Sequence, residues 1–282
     1  MTAESEQPSV WTDRTLDPSA VLLTDRVAVV TGAAQGIGQA IALTFARFGA
    51  DLAICDRNAD GLAETAAQIQ ALGRHVVTGE LDVRDEHAVP IWIERVATEY
   101  GRIDVLVNNA GGGFWSPFME VNTKGELALI RENFTSVTLF TRQCVPHMGQ
   151  GSSIINITSI EAHRAGPGFA VYSAMKAAVA NLTKSLSMEL GARKIRVNCI
   201  APDVIPTPGD SGLADDSGAL GLDSVAISSS PETGSVFDCA GAAVFLAGDL
   251  SRFVSGSTVH VDGGNWAAGG WKVNADRAGF TL

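Results

Sequence analysis

The sequence predicts a single α/β domain, a parallel sheet covered by helices on both faces, and three observations carry that expectation. Short apolar runs fit for buried strands alternate with helical periodicity, no linker-like stretch divides them, and a glycine-rich turn follows the first run directly. A length of 282 residues suits one large domain of this kind.

The opening residues 1–23, with Pro8, Trp11, Asp13 and Pro18, have no steady periodicity and read as an N-terminal extension. They lack the basic start and continuous apolar core of a secretory signal. Residues 26–31, Arg-Val-Ala-Val-Val-Thr, read as the first strand, and Gly32, Gln35, Gly36, Ile37 and Gly38 lead into a helix periodic through Phe48. Such a turn lets backbone approach a pyrophosphate and aims a helix N-terminus at its negative charge, although the same glycines could form only a tight turn. A second strand over residues 51–55 ends at Asp56, near the spacing of roughly 20 residues at which an acid accepts hydrogen bonds from a ribose 2′-hydroxyl. A 2′-phosphate there would meet a carboxylate, so NAD is favoured over NADP. Arg57 moderates that preference if it turns toward the ribose, and the alternative for Asp56 is a helix cap. A third run, Val76 and Val77, leads to Leu81-Asp82-Val83, where Asp82 either meets an adenine amino group or N-caps the helix before Glu86. A fourth strand over residues 103–107 ends in Asn108-Asn109-Ala110-Gly111, small and polar residues across which a cofactor can lie.

Downstream, Tyr172-Ser173-Ala174-Met175-Lys176 places a phenol and an ammonium four positions apart on one helical face, with Ser159 thirteen residues upstream of the tyrosine at the end of an apolar run. A cation beside a phenol lowers its pKa from the reference of about 10, which suits proton transfer. On an alanine-rich helix the same spacing is also common among plain surface side chains.

Taken together, Thr31 to Gly38, Asn108 to Gly111, Ser159, Tyr172 to Lys176 and Val261-Asp262-Gly263-Gly264 resemble the motifs of the classical short-chain dehydrogenase/reductase family over about residues 24–264. The resemblance implies a doubly wound Rossmann-like domain with a mostly parallel seven-stranded sheet. It also implies a fourth catalytic residue, Asn133, holding a water that links the lysine to solvent. Ser159 would then orient the substrate oxygen, Tyr172 exchange the proton, and Lys176 hold the nicotinamide ribose while stabilising tyrosinate. Pro202, Ile205 and Thr207, after a strand over residues 195–200, would lie beside the nicotinamide. The sequence departs from the family at Asp203, where glycine is usual after the proline. This predicts altered loop geometry and charge near the cofactor or substrate entrance, without loss of a catalytic group.

Residues 208–235, rich in Gly, Ser and Asp and including Asp210, Asp215, Asp216 and Asp223 beside Leu213 and Leu220, suit a substrate lid or a simple surface excursion. Trp115, Glu161, His163 and Phe169 are candidates for the substrate pocket, an aromatic wall with a polar edge. His163 either reads a substrate oxygen or faces solvent. A tail over residues 265–282 carries Trp266 and Trp271, which suit packing against a neighbour or over the site mouth. Small residues on the Tyr-Lys helix, predicted over residues 168–190, permit close approach, and the resemblance implies a homo-oligomer, with a tetramer favoured.

Four scattered cysteines and five histidines show no metal-ligand spacing, and packing is the expected role of the thiols. A net charge of -11 opposes attraction to nucleic acid or anionic membrane, and no apolar run approaches the roughly 20 residues of a membrane span. A cytoplasmic protein with a small-molecule substrate is the expectation. The leading functional expectation is hydride transfer between NAD(H) and a secondary alcohol/ketone pair, a cyclic or steroid-like compound among the candidates. The alternatives are reduction of 3-oxoacyl thioesters, which calls for a basic docking patch, and a non-catalytic nucleotide-sensing or structural subunit.

Overall fold

The computed structural model describes residues 16–203, 205–210, 233–273 and 280–281. Residues 1–15, with Trp11, and most of the acidic stretch predicted as a lid, with Leu213, Asp215, Asp216, Leu220 and Asp223, lie outside the described residues.

Seven strands form one sheet in the order β3-β2-β1-β4-β5-β6-β7. They are β1 (Val27–Thr31), β2 (Asp51–Asp56), β3 (Val76–Glu80), β4 (Ile103–Asn108), β5 (Met148–Ile157), β6 (Arg196–Pro202) and β7 (Thr258–Val261). Every neighbouring pair in this sheet is parallel. β1 and β4 are buried along their whole length, as expected of central strands covered on both faces, and this explains their unbroken apolar runs.

Two layers of helix supply the cover. On one face α1 (Gly36–Arg47), α2 (Ala59–Ala71) and α7 (Val236–Ala247) close a core that contains Ile41, Phe45, Leu52, Ile54, Val105, Ile155 and Leu246. On the other, α3 (Ala88–Tyr100), α5 (Ser136–Cys144) and the end of α6 (Ala170–Glu189) pack on Val29, Leu106, Ile154 and Val197, with Trp92 edge-on to Phe140. Local chemistry sets the helix starts: Asn58 accepts from the Gly61 N–H before α2, Asn122 from the Gly125 N–H before α4 (Thr123–Ile130), and Ser235 with Asp238 forms a reciprocal capping box on α7. The start of α3 corrects an expectation, since Asp85 accepts from the N–H groups of His87 and Ala88, whereas Asp82 turns to Arg84.

The strand order reverses between β1 and β4, and in open parallel sheets ligands bind outside the carboxyl ends of the strands at such a switch point. The motifs at Gly32 to Gly38, Asn109 to Gly111 and Ser159 all leave from the carboxyl ends of β1, β4 and β5. All four cysteines are buried and unpaired, in line with a packing role. The tail forms one helical turn, α8 (Asn265–Ala268), and a short antiparallel pair, β8 (Lys272–Val273) with β9 (Phe280–Thr281). No helix among the described residues is long and apolar enough to cross a membrane.

Candidate active site

Gly32 and Gly36 adopt φ of +67° and +62°, the left-handed region that a side chain resists. Gly38 is required for a different reason: a Cβ there would lie 2.1 Å from the Gly32 carbonyl oxygen and 2.4 Å from Asn109 Nδ2. Asn109 ties the turn to the fourth strand, donating through Nδ2 to the carbonyls of Thr31 (3.0 Å) and Gly32 (3.1 Å). The Thr31 hydroxyl in turn accepts from the backbone N–H groups of Asn109 and Ala110, both at 3.0 Å. Asn109 therefore braces the glycine turn, a task that its place in a small polar run does not reveal. Gln35 sits at the exposed N-cap of α1, Ile37 packs toward the core, and Thr207 lies over Gly36, in contact range of a Cβ built there.

Asp56, at the end of β2, accepts from the Ala34 N–H (3.0 Å) and the Asn58 N–H (2.9 Å), so its carboxylate is held beside the glycine turn. The cap of α2 is Asn58 itself. Arg57 is exposed, and Val83 is buried. The Arg84 guanidinium bonded to Asp82 holds that carboxyl below the usual range, with further lowering from Arg57. Pro202 closes β6, and Ile205 is buried beyond it.

Of the four residues expected to be catalytic, Asn133 lies between α4 and α5, Ser159 follows β5, and Tyr172 and Lys176 share α6. The helix that carries Asn133 runs from α4 into α5 through one wide turn of π geometry at Arg131–Thr135, a distortion frequent at functional sites. Asn133 is fully buried; it donates to the carbonyls of Gly112 (2.8 Å) and Leu129 (3.1 Å) and accepts from the Gly112 N–H (3.2 Å). A Cβ on Gly111 would stand 2.8 Å from Asn133 Oδ1 and 3.0 Å from Lys176 Nζ, so only glycine passes between the amide and the ammonium. Lys176 is buried, donates to the Ile157 carbonyl at 3.0 Å, and holds Nζ 5.5 Å from the centroid of the Tyr172 ring. Phe169 meets the Tyr172 ring edge-on at 6.4 Å, and Trp115 packs across Gly168, where a Cβ would fall 2.1 Å from its Nε1. Phe169 thus lies beside the Tyr172 ring, and Trp115 lies against the turn at Gly168.

Ser159 is buried at the mouth of β5 and donates its hydroxyl to the Glu161 carboxylate, while the Glu161 N–H donates back at 3.3 Å. Glu161 pairs with Arg164 (3.2 Å), and Arg164 reaches Asp203 at 3.5 Å. Asp203 also accepts from Asn265 and donates its own N–H to the Val261 carbonyl at 3.1 Å. The residue that replaces the usual glycine therefore joins the loop after Ser159 to the chain after β7. His163 is not solvent-facing at Nε2: its ring lies 4.8 Å from that of His260 and 5.6 Å from Trp266, and burial pushes its pKa down, with His260 and Lys184 acting in the same direction.

Burial also pushes the Lys176 pKa down, to about 8, against the raising influence of Glu132 and Cys199. The folded chain thus releases this proton before the unfolded chain, whose ordinary value is 10.5. Below pH 8 both states hold the proton and the full cost of burying the ammonium is present. As pH rises from about 8 to 10.5 the unfolded state binds more protons, so this group's contribution moves in favour of folding. Urea midpoints of the wild type and Lys176→Met across this range test the sign: the advantage of the methionine variant should shrink as pH rises, and a widening gap would contradict it.

The donor set and turn geometry fit a dinucleotide: backbone free of side chains at Gly32 and Gly36, a carboxylate fixed beside that turn, and a buried ammonium with three N–H donors, held by the Ile157 carbonyl. Comparison with known proteins agrees. A family model described as enoyl-(acyl carrier protein) reductase matches residues 32–265. The chain is 34% identical to a 3-oxoacyl-[acyl-carrier-protein] reductase FabG of Thermotoga maritima, covering 86% of this chain and 98% of the relative. It is 37% identical to a cis-4-hydroxycyclohexanecarboxylate dehydrogenase of Sinomonas cyclohexanicum, covering 85% and 96%. Among solved structures, a carveol dehydrogenase from Mycobacterium avium in complex with NAD superposes with a TM-score of 0.82 at 29% identity, covering 87% of this chain and 99% of that one. A short chain dehydrogenase from Burkholderia cenocepacia in complex with NADP gives 0.81 at 32% identity, covering 86% and 98%. The chain belongs to the classical short-chain dehydrogenase/reductase family and is an oxidoreductase that uses a nicotinamide cofactor.

Proposed function

We propose that the protein moves a hydride between NAD(H) and a secondary alcohol/ketone pair, with Tyr172 exchanging the proton, Ser159 orienting the reacting oxygen, Lys176 holding the ribose and favouring the phenolate, and Asn133 maintaining the path to solvent. The observation that carries this reading is the buried Lys176 ammonium set against the Tyr172 ring and, across Gly111, against the Asn133 amide. The bound nicotinamide supplies or accepts the hydride. In reduction an alkoxide develops on the substrate, so a hydrogen bond from Tyr172 is worth most as that charge forms. In oxidation the Tyr172 phenolate removes the alcohol proton, and the ammonium beneath the ring makes that anion accessible near neutral pH. The wall of Phe169 and Trp115 sheds water from the reacting centre.

For the dinucleotide, Gly32, Gln35, Gly36, Ile37 and Gly38 would line the pyrophosphate, Asp56 the adenosine ribose, Asp82 and Val83 the adenine, Asn109 to Gly111 the floor, and Pro202, Ile205 and Thr207 the nicotinamide side. NAD is the proposed partner because the Asp56 carboxylate would receive ribose hydroxyls and repel a 2′-phosphate. Asp56→Ala should narrow the preference for NAD over NADP by about ten- to a hundredfold in kcat/KM, the worth of hydrogen bonds to a charged group. An unchanged preference would assign the choice to another residue, Arg57 first.

A ring-bearing secondary alcohol is the favoured substrate, supported by the relatives named for cis-4-hydroxycyclohexanecarboxylate and carveol. Reduction of 3-oxoacyl thioesters is the second reading, supported by the Thermotoga relative and opposed by the net charge of -11, which offers an acidic carrier little attraction. Exposed Phe253, Trp266 and Trp271 support a homo-oligomer, and four unpaired cysteines suit a reducing cytoplasm. Steady-state NADH oxidation, followed by absorbance against cyclic ketones, steroid ketones and 3-oxoacyl thioesters with NADPH in parallel, tests the assignment. Turnover of thioesters alone would replace the first reading with the second, and firm NADH binding with no turnover of any ketone would favour a nucleotide-sensing role.

A further inference from the structure

Ser159 does not hold its proton ready for a substrate. Its hydroxyl donates to the Glu161 carboxylate, and the Glu161 backbone N–H returns a bond to the same oxygen at 3.3 Å. The carboxylate is fixed rather than incidental. Its second oxygen pairs with Arg164 at 3.2 Å, Arg164 extends to Asp203 at 3.5 Å, and Asp203 is bonded by Asn265. Gly166 lies close to the stem, since a Cβ built there would fall 3.0 Å from Glu161 Cγ. The Glu161 side chain nevertheless keeps 24% of its surface exposed, against 14% for Asp203, so a ligand lying on Ser159 can reach it.

We infer that Glu161 is a specificity-determining residue that accepts a hydrogen bond from a hydroxyl on the carbon next to the reacting one, so that the preferred substrates are vicinal diols and α-hydroxy ketones. This deepens the proposed alcohol/ketone reading and rests on it. The neighbouring hydroxyl of a gauche diol takes the place of Ser159 as donor to Glu161 Oε2, and the Ser159 hydroxyl then turns to donate to the reacting oxygen at an O–H···O distance of about 2.7–2.8 Å. An ionised carboxylate only accepts, so it rewards a donor at this place and opposes a carboxylate or carbonyl oxygen there. A plain alcohol leaves that acceptor without its partner, the circumstance in which hydrogen-bonding sites discriminate most strongly.

The chemistry is balanced without any further reactant. In oxidation the C–H bond of one carbinol carbon breaks and its hydrogen leaves with the electron pair to the oxidised nicotinamide. The O–H proton of the same carbon goes to Tyr172, a C=O forms, and the second hydroxyl stays unchanged on Glu161.

The full-length enzyme decides the matter with matched pairs: 1,2-cyclohexanediol against cyclohexanol in oxidation with NAD, and 2-hydroxycyclohexanone against cyclohexanone in reduction with NADH. The wild type should favour the hydroxylated member by about ten- to a hundredfold in kcat/KM, the worth of a hydrogen bond to a charged acceptor. Glu161→Ala should bring that ratio close to one, and Asp203→Gly, which leaves Glu161 in place but loosens Arg164, should reduce it by a smaller factor. Using the ratio removes any general damage to Ser159 from the readout. A wild-type ratio near one, or a ratio that survives Glu161→Ala, overturns the inference while leaving the alcohol/ketone reading intact. If neither pair turns over, calorimetric titration of the enzyme with NADH already bound decides it: tighter binding of the diol than of cyclohexanol, lost in Glu161→Ala, supports the assignment, and equal binding of the two overturns it.

Discussion

Tyr172→Phe is expected to lower kcat by about 10²- to 10⁴-fold, the usual worth of a positioned acid/base group, with little change in the dissociation constant for NADH. The substitution is close to isosteric at the contacts that hold the ring. Phe169 meets that ring edge-on at 6.4 Å, Gly113 lies under it, and Lys176 Nζ stands 5.5 Å from its centroid, all of which a phenylalanine ring can keep. The lysine also keeps its bond to the Ile157 carbonyl. Only the hydroxyl is lost, and with it the group that gives or takes the substrate proton. Because that proton moves in the transition state, kcat and kcat/KM should fall together. Stopped-flow single turnovers with fluorescence titration of NADH separate the two effects. Wild-type turnover in the variant would move the proton-transfer role away from Tyr172, and loss of NADH binding would mean that the hydroxyl is chiefly a ribose contact.

The residues that the sequence made legible share a property: their geometry is set within one short segment or by one strand-to-helix turn. Gly32, Gly36 and Gly38 fall within a single turn, Tyr172 and Lys176 on one helical face, and Asp56 at the end of a strand whose register beside β1 follows from the apolar run. Strand boundaries moved by only one or two residues, with β6 at Arg196–Pro202 against an expected 195–200. What stayed hidden depends on chain segments that the sheet order brings together. Arg164 meets Asp203, and Asp203 meets Asn265, because β5, β6 and β7 are adjacent in the sheet. The same adjacency gathers His163, His260 and Trp266 into one aromatic cluster. No local periodicity encodes such pairings. Of the two readings open for Asp82, the helix cap is set aside by competition between two aspartates three residues apart: Arg84 engages Asp82, and Asp85 accepts from the N–H groups of His87 and Ala88. The wide turn at Asn133 was likewise invisible, since an added residue in a helical turn leaves no compositional mark.

Gly38→Ala carries the second large expected effect, on the scaffold of the cofactor site. The added methyl would stand 2.1 Å from the Gly32 carbonyl oxygen, a backbone atom, and 2.4 Å from Asn109 Nδ2. Neither neighbour can yield alone. Moving Gly32 distorts the turn itself, and moving Asn109 breaks its bonds to the carbonyls of Thr31 and Gly32. Overpacking of this kind typically costs about 1–3 kcal/mol, occasionally more, and here the relaxation must pass through the backbone that would face the pyrophosphate. The expected outcome is a lowered Tm together with NADH affinity weakened by more than about tenfold, a step of about 1.4 kcal/mol. Gly73→Ala supplies the contrast. Gly73 has a φ of +74° but nothing within 4 Å of a built Cβ, so its cost is backbone strain of about 1–2 kcal/mol without effect on NADH. Equal losses of stability with NADH binding affected only in Gly38→Ala would tie the glycine to the nucleotide turn. Unchanged NADH affinity in Gly38→Ala would mean that the turn relaxes freely, and that the approach of α1 to β1 does not shape the site.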